Sequence, residues 1–470
     1  AQEVDTALLR IVKVARAALD AHAVLYFDVD RDRETAHLRD GDGPESLVKD
    51  SVVPVASDPF AFILERRQAF YATTAAETAA SVTPTNFQYM PGDVNRYGTN
   101  TTPGTTDMTT AIQAALNQMI KTGGAPTYLP GGKYLVGTAL SITPTADNDG
   151  MRIYGDGWKS WIDSTVIGAS TLTVINAKPV LIENLRFSGN SVVGAGGNGH
   201  AVALKSPSYT SAGNFYPQQA VVRGLKVSGF LGNDTKVTGG PGTSTTIAAG
   251  IYIGPGLANM VTTSIVSNCG VGIMFDRSIN SHITNCTTSI CYNYGVQLNI
   301  CTDGCSVTAC DIINCGKNDN VTYDSVDPVV SGGTLYYSGI VASSCEGPVT
   351  IERCKFKEGQ AITTSSSNDV VLRHNWFRVD GANVGGTLKV QSIQIRAADY
   401  VLIDGNHFRY HVAPVAGAAV PRKAMEIQNT TGSTKTVYTV TGNRFVHVGP
   451  IVADISIIGL IGALWAASVL

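Results

Sequence analysis

Three sets of carboxylates in the second half of the chain have the residue types that acid–base chemistry needs. Asp276 follows a run of alternating apolar residues, Asp303 and Glu346 stand near turns, and Asp324 and Asp327 share one long insertion. Hydrolysis of a glycosidic bond uses two carboxyl groups that lie about 5–5.5 Å or about 6.5–9.5 Å apart. Which of these acids come that close depends on the elements that carry them.

The insertion that holds the last two aspartates also carries aromatic rings. Residues 316–339 read GKNDNVTYDSVDPVVSGGTLYYSG and include Tyr323, Tyr336 and Tyr337. Aromatic faces stack on sugar rings, and acids beside them on a loop fit a substrate-binding subsite. A solvated polar loop has the same composition, so both interpretations stay open.

The region around these acids is built from a repeat of about 22 residues. Each unit begins with a small residue and continues with alternating apolar positions, and the longer units hold insertions. The units begin at Gly250, Gly272, Gly295, Gly339, Ala361, Ser392 and Ala424. Strict alternation predicts strands with one buried face, and so short a unit has no room for an added long helix. The repeat therefore predicts a mainly β fold in which each unit is one rung of a parallel β-helix.

The nine cysteines all fall between positions 269 and 354 and test this alignment. Stacked rungs place equivalent residues about 4.8 Å apart, so like side chains should form columns. The columns are Cys286, Cys310 and Cys354; Cys269, Cys291 and Cys315; and Cys301 and Cys345. An odd number of cysteines confined to one region is not typical of a secreted disulfide framework. We therefore expect the thiols to be reduced and buried, and the protein to assemble in a reducing cytoplasm. The spacings are not CxxC pairs, which argues against a metal site.

Two of the acid sets also fall into columns. Asp276 shares its column with Asn299, Ser343, Ser365, Arg396 and Gln428. This outward stripe is either a site in which Asp276 is catalytic and Arg396 binds substrate, or a solvated strand face. Asp303, Glu346 and Asp369 fall near one turn in successive rungs, where they could be catalytic or bind Ca²⁺ through oxygen ligands. Aspartate is also frequent in turns for structural reasons alone.

A basic set offers a different chemistry. His374, His407 and His411 lie near Arg373 and Arg409 in the sequence. Elimination needs a base and a cation that neutralises the carboxylate of a uronic acid. A structural strand face is the alternative for these residues.

The start of the repeat region has a capping element. Thr106 or Asp107 can N-cap a helix that carries Ile112, Leu116 and Ile120 along one face, and Gly123-Gly124 ends it. A solenoid exposes the core of its first rung, so such a helix is expected to cover it.

The segment 93–142 resembles the opening of the pectate-lyase-like β-helix superfamily, in the form found in bacteriophage tailspikes. The matching features are DVNRYG, the helix TTAIQAALN and the strand region YLPGGKYLV. The resemblance covers about 88–449 and implies a right-handed parallel β-helix, frequently trimeric, that binds or cuts polysaccharide. It also implies a location on a virion tail or outside the cell.

The two ends differ from the repeat region. Residues 1–72 hold 22 of the 71 charged residues and resemble the first half of a GAF sensory domain, with a hairpin in AVLYFDVDRDRETAHLRDGDG. Residues 73–91 read as a linker, and 92–449 as the β-helix domain. Residues 450–470 form an apolar segment that is either a buried strand or helix, or a membrane or virion contact.

The sequence leads to two functional hypotheses. One is a tailspike-like depolymerase that cleaves a bacterial surface polysaccharide by hydrolysis or elimination, without an obligatory cofactor. The other is a non-catalytic receptor-binding or structural β-helix, or a composite fusion chain. The net charge of −3 argues against a nucleic-acid partner.

Overall fold

The computed structural model describes sixteen stretches of the chain. They are residues 24–30, 35–42, 52–54, 73–143, 150–176, 179–190, 199–206, 219–232, 248–315, 338–357, 361–380, 391–396, 398–411, 423–428, 437–448 and 453–458. Three sheets of eleven parallel strands each run along the molecule, and every strand pairs with the equivalent strand of the preceding and following rung. The mainly β, stacked parallel architecture that the repeat predicts is confirmed.

The sheets are named here in the order in which the chain enters them. Sheet 1 contains Thr127–Leu129, Met151–Gly155, Val180–Glu183, Val221–Arg223, Met260–Thr262, His282–Thr284, Ser306–Thr308, Pro348–Glu352, Asp369–Arg373, Tyr400–Asp404 and Val437–Thr441. Sheet 2 contains Gly132–Val136, Ser160–Ser164, Arg186–Ser188, Lys226–Ser228, Ile265–Ser267, Thr287–Ser289, Asp311–Ile313, Lys355–Lys357, Trp376–Asp380, His407–His411 and Arg444–Val448. Sheet 3 contains Leu140–Ile142, Leu172–Ile175, Val202–Lys205, Ala249–Ile253, Val271–Asp276, Tyr294–Asn299, Ser338–Ser343, Ile362–Ser365, Gln391–Arg396, Lys423–Gln428 and Ala453–Ile458.

Crowding at the start of the sheet 3 strands explains why the sequence repeat begins with a small residue. A Cβ on Gly272 would lie 2.3 Å from the carbonyl oxygen of Gly295 and 2.9 Å from a methyl group of Thr288. These distances are shorter than van der Waals contact, so a larger residue would push the rungs apart. The glycines at 250, 295 and 339 face equally close neighbours.

The cysteine columns lie inside the coil, as the alignment predicts. Cys286 and Cys310 stack closely enough for the backbone N–H of Cys286 to donate to the Cys310 sulfur at 3.5 Å. All nine thiols are free and buried, and burial raises the pKa of Cys269 to about 12. The ninth, Cys305, belongs to a fourth column with Ser281 and Asn259: the N–H of Ser306, next to Cys305, donates to the Ser281 carbonyl, and the N–H of Asn259 donates to the Ser281 hydroxyl, both at 3.1 Å. Each cysteine therefore packs as a small apolar side chain.

The Cys286 column passes into a column of asparagines higher in the coil. Asn375 and Asn406 accept the backbone N–H of the rung below with their side-chain oxygens at 2.9 Å, and Asn443 does the same at 3.0 Å. Their side-chain NH₂ groups donate to carbonyls of the same turn region. The residue before each has positive φ, for example 56° at His374, which closes the tight turn between sheets 1 and 2.

A helix covers the first rung, as expected. Helix α2, Thr109–Met119, buries Ile112 and Leu116 in the same core as Leu129 and Leu140. Its N-cap residue is Met108 rather than Thr106 or Asp107, because the helix begins later than predicted. Asp107 still contributes, since its carboxylate accepts the Thr109 N–H at 2.9 Å.

The segment 73–91, interpreted as a linker, packs against this cap. Helix α1, Ala75–Ala79, has a complete capping box from Thr74 and Glu77. The fully buried Glu77 pairs with the fully buried Arg96 and accepts a hydrogen bond from the Tyr97 hydroxyl at 2.8 Å. Burial raises the pKa of Glu77, but hydrogen bonds from Arg96 and Thr74 outweigh it and hold that pKa below its usual value. Short 3₁₀ turns at Val94–Arg96 and Gly157–Lys159 complete the helical elements of the described residues.

The two ends are described only in part. Val24–Asp30 and Thr35–Asp42 form the predicted antiparallel hairpin, and Val52–Pro54 pairs with its second strand. The other residues of the GAF-like segment 1–72 lie outside the described part of the chain. Ala453–Ile458, in the apolar segment, is the eleventh strand of sheet 3, and residues 459–470 lie outside the described part. Among the residues that are described, no helix has the length and apolarity to cross a membrane.

Removal of one asparagine from the ladder should destabilise the coil. Asn406→Ala leaves the N–H of Asn375 and the carbonyl of Leu372 without partners in a buried turn, which should cost roughly 2–3 kcal/mol. Urea unfolding followed by circular dichroism measures this loss. Asn443→Ala is the matched control, because water can reach that partly exposed rung. Equal, small losses in both variants would contradict the role of the ladder.

The contribution of Asp93, in the cap, to folding stability should depend on pH. Asp93 is 8% exposed, and burial, aided by the nearby Asp156 carboxylate, raises its pKa to about 6. The unfolded chain ionises this group near pH 4, so folding stability falls as pH rises from about 4 to about 6. Asp93→Asn keeps an oxygen for the Asn95 N–H and should therefore be more stable than the wild type above pH 6, by roughly 2–3 kcal/mol. The difference should vanish below pH 4, and a difference that is constant from pH 4 to 7 would refute this assignment.

Candidate functional site

The outer face of sheet 3 holds a carboxylate that the protein clamps from two sides. Asp276 ends the strand Val271–Asp276, and the predicted column is confirmed, because Asp276 pairs in register with Asn299 of the next rung. The Asn299 side-chain NH₂ donates to Asp276 Oδ1 at 2.7 Å. The Tyr252 hydroxyl, from the rung below, donates to Asp276 Oδ2 at 3.2 Å. Both carboxylate oxygens are thus held in fixed directions on a half-buried surface.

Tyr252 is itself oriented by a histidine. The rings of His200 and Tyr252 stack with centroids 4.5 Å apart. His200 Nδ1 accepts the backbone N–H of Ala249 at 2.8 Å, which places the proton of the neutral ring on Nε2. Burial lowers the pKa of His200 to about 3. Burial and the neighbouring Asp276 raise the pKa of Tyr252 well above its usual value, so Tyr252 remains a hydrogen-bond donor and His200 remains neutral near pH 7.

These four residues come from successive rungs and form one continuous polar strip. His200 lies two residues before the third rung's sheet 3 strand, Val202–Lys205, and Tyr252, Asp276 and Asn299 lie on the next three strands. A fixed carboxylate of this kind can accept hydroxyl protons of a sugar or activate a nucleophile. Two-carboxylate hydrolysis would need a second acid within one or two rungs, about 5–10 Å away.

Arg396 lies in the predicted column but not in this site. Ser343, Ser365 and Arg396 follow Asn299 in register, so four rungs separate Arg396 from Asp276. Four steps of about 4.8 Å place the two residues about 19 Å apart along the coil. A substrate would have to be an extended polymer to touch both.

Asp303 and Glu346, the acids predicted near one turn, are linked through a backbone hydrogen bond. The N–H of Asp303 donates to the carbonyl of Glu346 at 3.1 Å, so the two residues occupy the same turn of adjacent rungs. Both side chains are exposed, and Asp369 begins the sheet 1 strand of the following rung. Within the described residues, no three acids, histidines or cysteines are grouped in a way that could hold a metal ion. The Ca²⁺ site proposed for these acids stays a prediction.

The remaining predicted residues fall on the insertion. Asp324, Asp327, Tyr323, Tyr336 and Tyr337 lie outside the described residues, and so their assignment as catalytic or substrate-binding stays a prediction. The insertion leads directly into the strand Ser338–Ser343, which pairs with the strand that carries Asn299. It thus joins sheet 3 one rung from the clamp on Asp276.

The basic set does not form one cluster. Arg373 lies on sheet 1, where it donates to Glu352 at 2.9 Å. His407 and Arg409 lie on sheet 2, and His374 occupies the turn between these sheets. The fold therefore separates Arg373 from His407, whereas His407 and Arg409 stay two residues apart on one strand.

Sequence reasoning missed Tyr252 and the position of His200. Tyr252 lies between the buried Ile251 and Ile253 and therefore points outward, one rung from Asp276. A polar aromatic residue at an outward position beside Asp276 is the signal that could have identified it. His200 follows an insertion, so its place in the strip depends on where the third rung begins.

Comparisons with known proteins agree with this architecture. A family model described as a right handed beta helix region matches residues 237–378. A DFA-IIIase from Arthrobacter chlorophenolicus A6 in complex with GF2 is 15% identical, with a TM-score of 0.52 over 77% of this chain and 85% of that one. Full-length tailspike protein 2 from Escherichia coli O157:H7 bacteriophage CAB120 is 12% identical, with a TM-score of 0.52 over 93% of this chain and 61% of that one. No curated protein matches the sequence.

Similarity at this level of identity shows the fold. The stacked sheets, the match to the right-handed family model and the similar fold of the tailspike agree with the right-handed parallel β-helix that the resemblance at residues 93–142 implies. The chain is a right-handed parallel β-helix.

Proposed function

We propose that this chain binds a bacterial surface polysaccharide along the outer face of sheet 3 and cleaves it by hydrolysis or elimination. The observation that carries the proposal is the carboxylate of Asp276, fixed by Tyr252 and Asn299 on an outward strip. A strip that continues for several rungs suits an extended polymer better than a small ligand. The similar structures include a tailspike and a DFA-IIIase, which supports a carbohydrate as the ligand.

In this proposal Asp276 acts as the base or the nucleophile. Tyr252 and Asn299 orient the carboxylate by donating hydrogen bonds to both of its oxygens. The insertion that joins sheet 3 one rung from Asn299 would supply the second carboxylate, with Asp324 and Asp327 as candidates. Asp303 and Glu346, exposed at a turn, are the less favoured pair.

One observation favours a second function, a binder without catalysis. Among the described outward residues around Tyr252 and Asn299, Asp276 is the one carboxylate, and both of its oxygens already accept hydrogen bonds from the protein. A receptor-binding β-helix would use such a carboxylate to hold sugar hydroxyls and would release no product.

The assembly and location belong to the same proposal. Its basis is the resemblance to tailspikes, which implies a homotrimer on a virion tail or outside the cell, with a bacterial polysaccharide as partner. Light scattering of the purified chain measures the number of copies directly, and a monomer at micromolar concentration would contradict the trimer.

The cleavage hypothesis is tested with a panel of capsular polysaccharides and lipopolysaccharides. Size-exclusion chromatography should show shortened products, and ultraviolet absorbance of unsaturated ends separates elimination from hydrolysis. Asp276→Asn should lower the rate at least 100-fold, because loss of a general base costs about 10²–10⁴. Asp163→Asn, which removes an outward strand carboxylate of sheet 2, is the matched control and should keep most of the activity.

Two outcomes decide between the candidates. Full activity of Asp276→Asn would remove Asp276 from the catalytic role. If a glycan binds the wild type, is not shortened, and binds Asp276→Asn more weakly, the chain is a binder and the catalytic proposal is wrong.

A further inference from the structure

The core of the coil is closed at its first rung and half open at its last. In the first rung, Leu129 and Leu140 are buried, because helix α2 packs against the same core. In the last rung, the inward side chains of Tyr438, Val440 and Phe445 pack against the core but are only partly buried. The two ends therefore differ in how completely they are covered.

The residues of the last rung are of the same kind as those beneath them. Val401, Ile403 and Phe408, one rung lower in the same columns, are all fully buried. The rings of Phe408 and Phe445 stack with centroids 4.8 Å apart, so Phe445 covers Phe408 from above. Within the described part of the chain, no further rung lies above Phe445. Apolar surface is left at this end, and its burial would be favourable.

The backbone at this end also lacks a neighbouring strand among the described residues. Val437–Thr441, Arg444–Val448 and Ala453–Ile458 are the last strands of sheets 1, 2 and 3. An edge strand presents N–H and C=O groups that can pair with another chain, and proteins protect such edges by covering them with a helix or a loop. The last rung thus needs a cover for its apolar side chains and for its three strand edges.

The sequence that follows the last strand has the composition of such a cover. Residues 459–470 read GLIGALWAASVL, with nine apolar residues and no charge, and they begin directly after the strand Ala453–Ile458. The larger apolar residues recur at a helical spacing and would share one face. They are Leu460, Ile461, Leu464 and Trp465. A helix of this length is about 18 Å long, and helix α2, which covers the other end, has 11 residues.

We propose that residues 459–470 fold back over the last rung and close the open end of their own chain's core. Their apolar face packs on Tyr438, Val440 and Phe445, in the way that helix α2 packs on the first rung. The segment begins at the end that it covers, so its effective concentration there is high and no second copy is required.

This assignment gives the apolar segment a structural role within the coil. It selects the buried element among the alternatives that the sequence leaves open, and it leaves the segment unavailable to a membrane or a virion partner. The inference concerns the end of the coil and does not depend on binding or cleavage at Asp276.

Thiol labelling of the full chain tests the proposal. The nine native thiols are buried, so a maleimide reports on a cysteine introduced at one position. Leu464→Cys should react roughly 100-fold more slowly than Thr441→Cys, because labelling of a packed side chain requires local unfolding. Thr441 is the matched position, since it is exposed on the last rung. In concentrated urea the two variants should react at the same rate.

A pair of charged variants tests which face packs on the core. Leu464→Asp places a charge on the proposed face, and Ala466→Asp places the same charge on the opposite side of the predicted helix. Leu464→Asp should release the segment, because a buried unpaired charge is unfavourable. The fluorescence of anilinonaphthalene sulfonate, which binds exposed apolar surface, should then rise severalfold. Ala466→Asp should match the wild type, and circular dichroism confirms that both variants are folded.

Four results would overturn the inference. Labelling of Leu464→Cys as fast as that of Thr441→Cys would show that the segment does not pack. Equal dye binding by the two aspartate variants would contradict the packed face. Protection that is lost on dilution, in step with dissociation seen by light scattering, would assign the cover to a second copy. Flotation of the wild type with phosphatidylglycerol vesicles would assign the segment to a membrane.

Discussion

The vertical spacing of about 4.8 Å between rungs is the constraint on which the rest of the structure depends. Every inward side chain must fit on the residue below it and beneath the residue above it, so each column keeps one size and one chemistry over several rungs. The thiols of Cys286, Cys310 and Cys354 fill one corner, and asparagines replace them higher up by taking over the backbone hydrogen bonds of the turn. Each change of residue type within a column therefore changes which side-chain atom accepts the backbone N–H of the turn.

Outward side chains are free of this constraint, and the outer faces of the three sheets therefore differ in their chemistry. Sheet 1 neutralises its own charges through pairs such as Glu183 with two arginines. Sheet 3 fixes one carboxylate, Asp276, between a tyrosine and an asparagine from the neighbouring rungs. Sheet 2 places Lys355, Lys357 and Arg378 around the exposed ring of Trp376. A rigid interior thus presents three chemically different surfaces along the axis of the coil, and the proposed function uses the surface of sheet 3.

Periodicity decided which features were predictable from the sequence. Stacked residues recur at fixed intervals, so the cysteine columns and the Asp276–Asn299 pair could be read from spacing alone. The contact of His200 with Tyr252 could not, because an insertion hides where the third rung begins. The distance between two residues of one column could also be calculated from the sequence. Counting the rungs between Asp276 and Arg396 shows that the two residues lie four rungs apart. The start of the helix at Thr109 was missed because the side chain that accepts the Thr109 N–H belongs to Asp107, one residue before the N-cap residue Met108.

The stacking itself can be measured through pulsed electron paramagnetic resonance with spin labels on sheet 1. Thr262, Asp404 and Thr441 share one outward column, and five rungs separate the first from the second and six from the third. The nine native thiols are buried, so cysteines introduced at these positions are labelled selectively. The Thr262→Cys/Asp404→Cys and Thr262→Cys/Thr441→Cys pairs should give distances of about 24 and about 29 Å. Distances that do not increase by about one rung spacing between the two pairs would contradict the stacked coil and, with it, the proposed site on sheet 3.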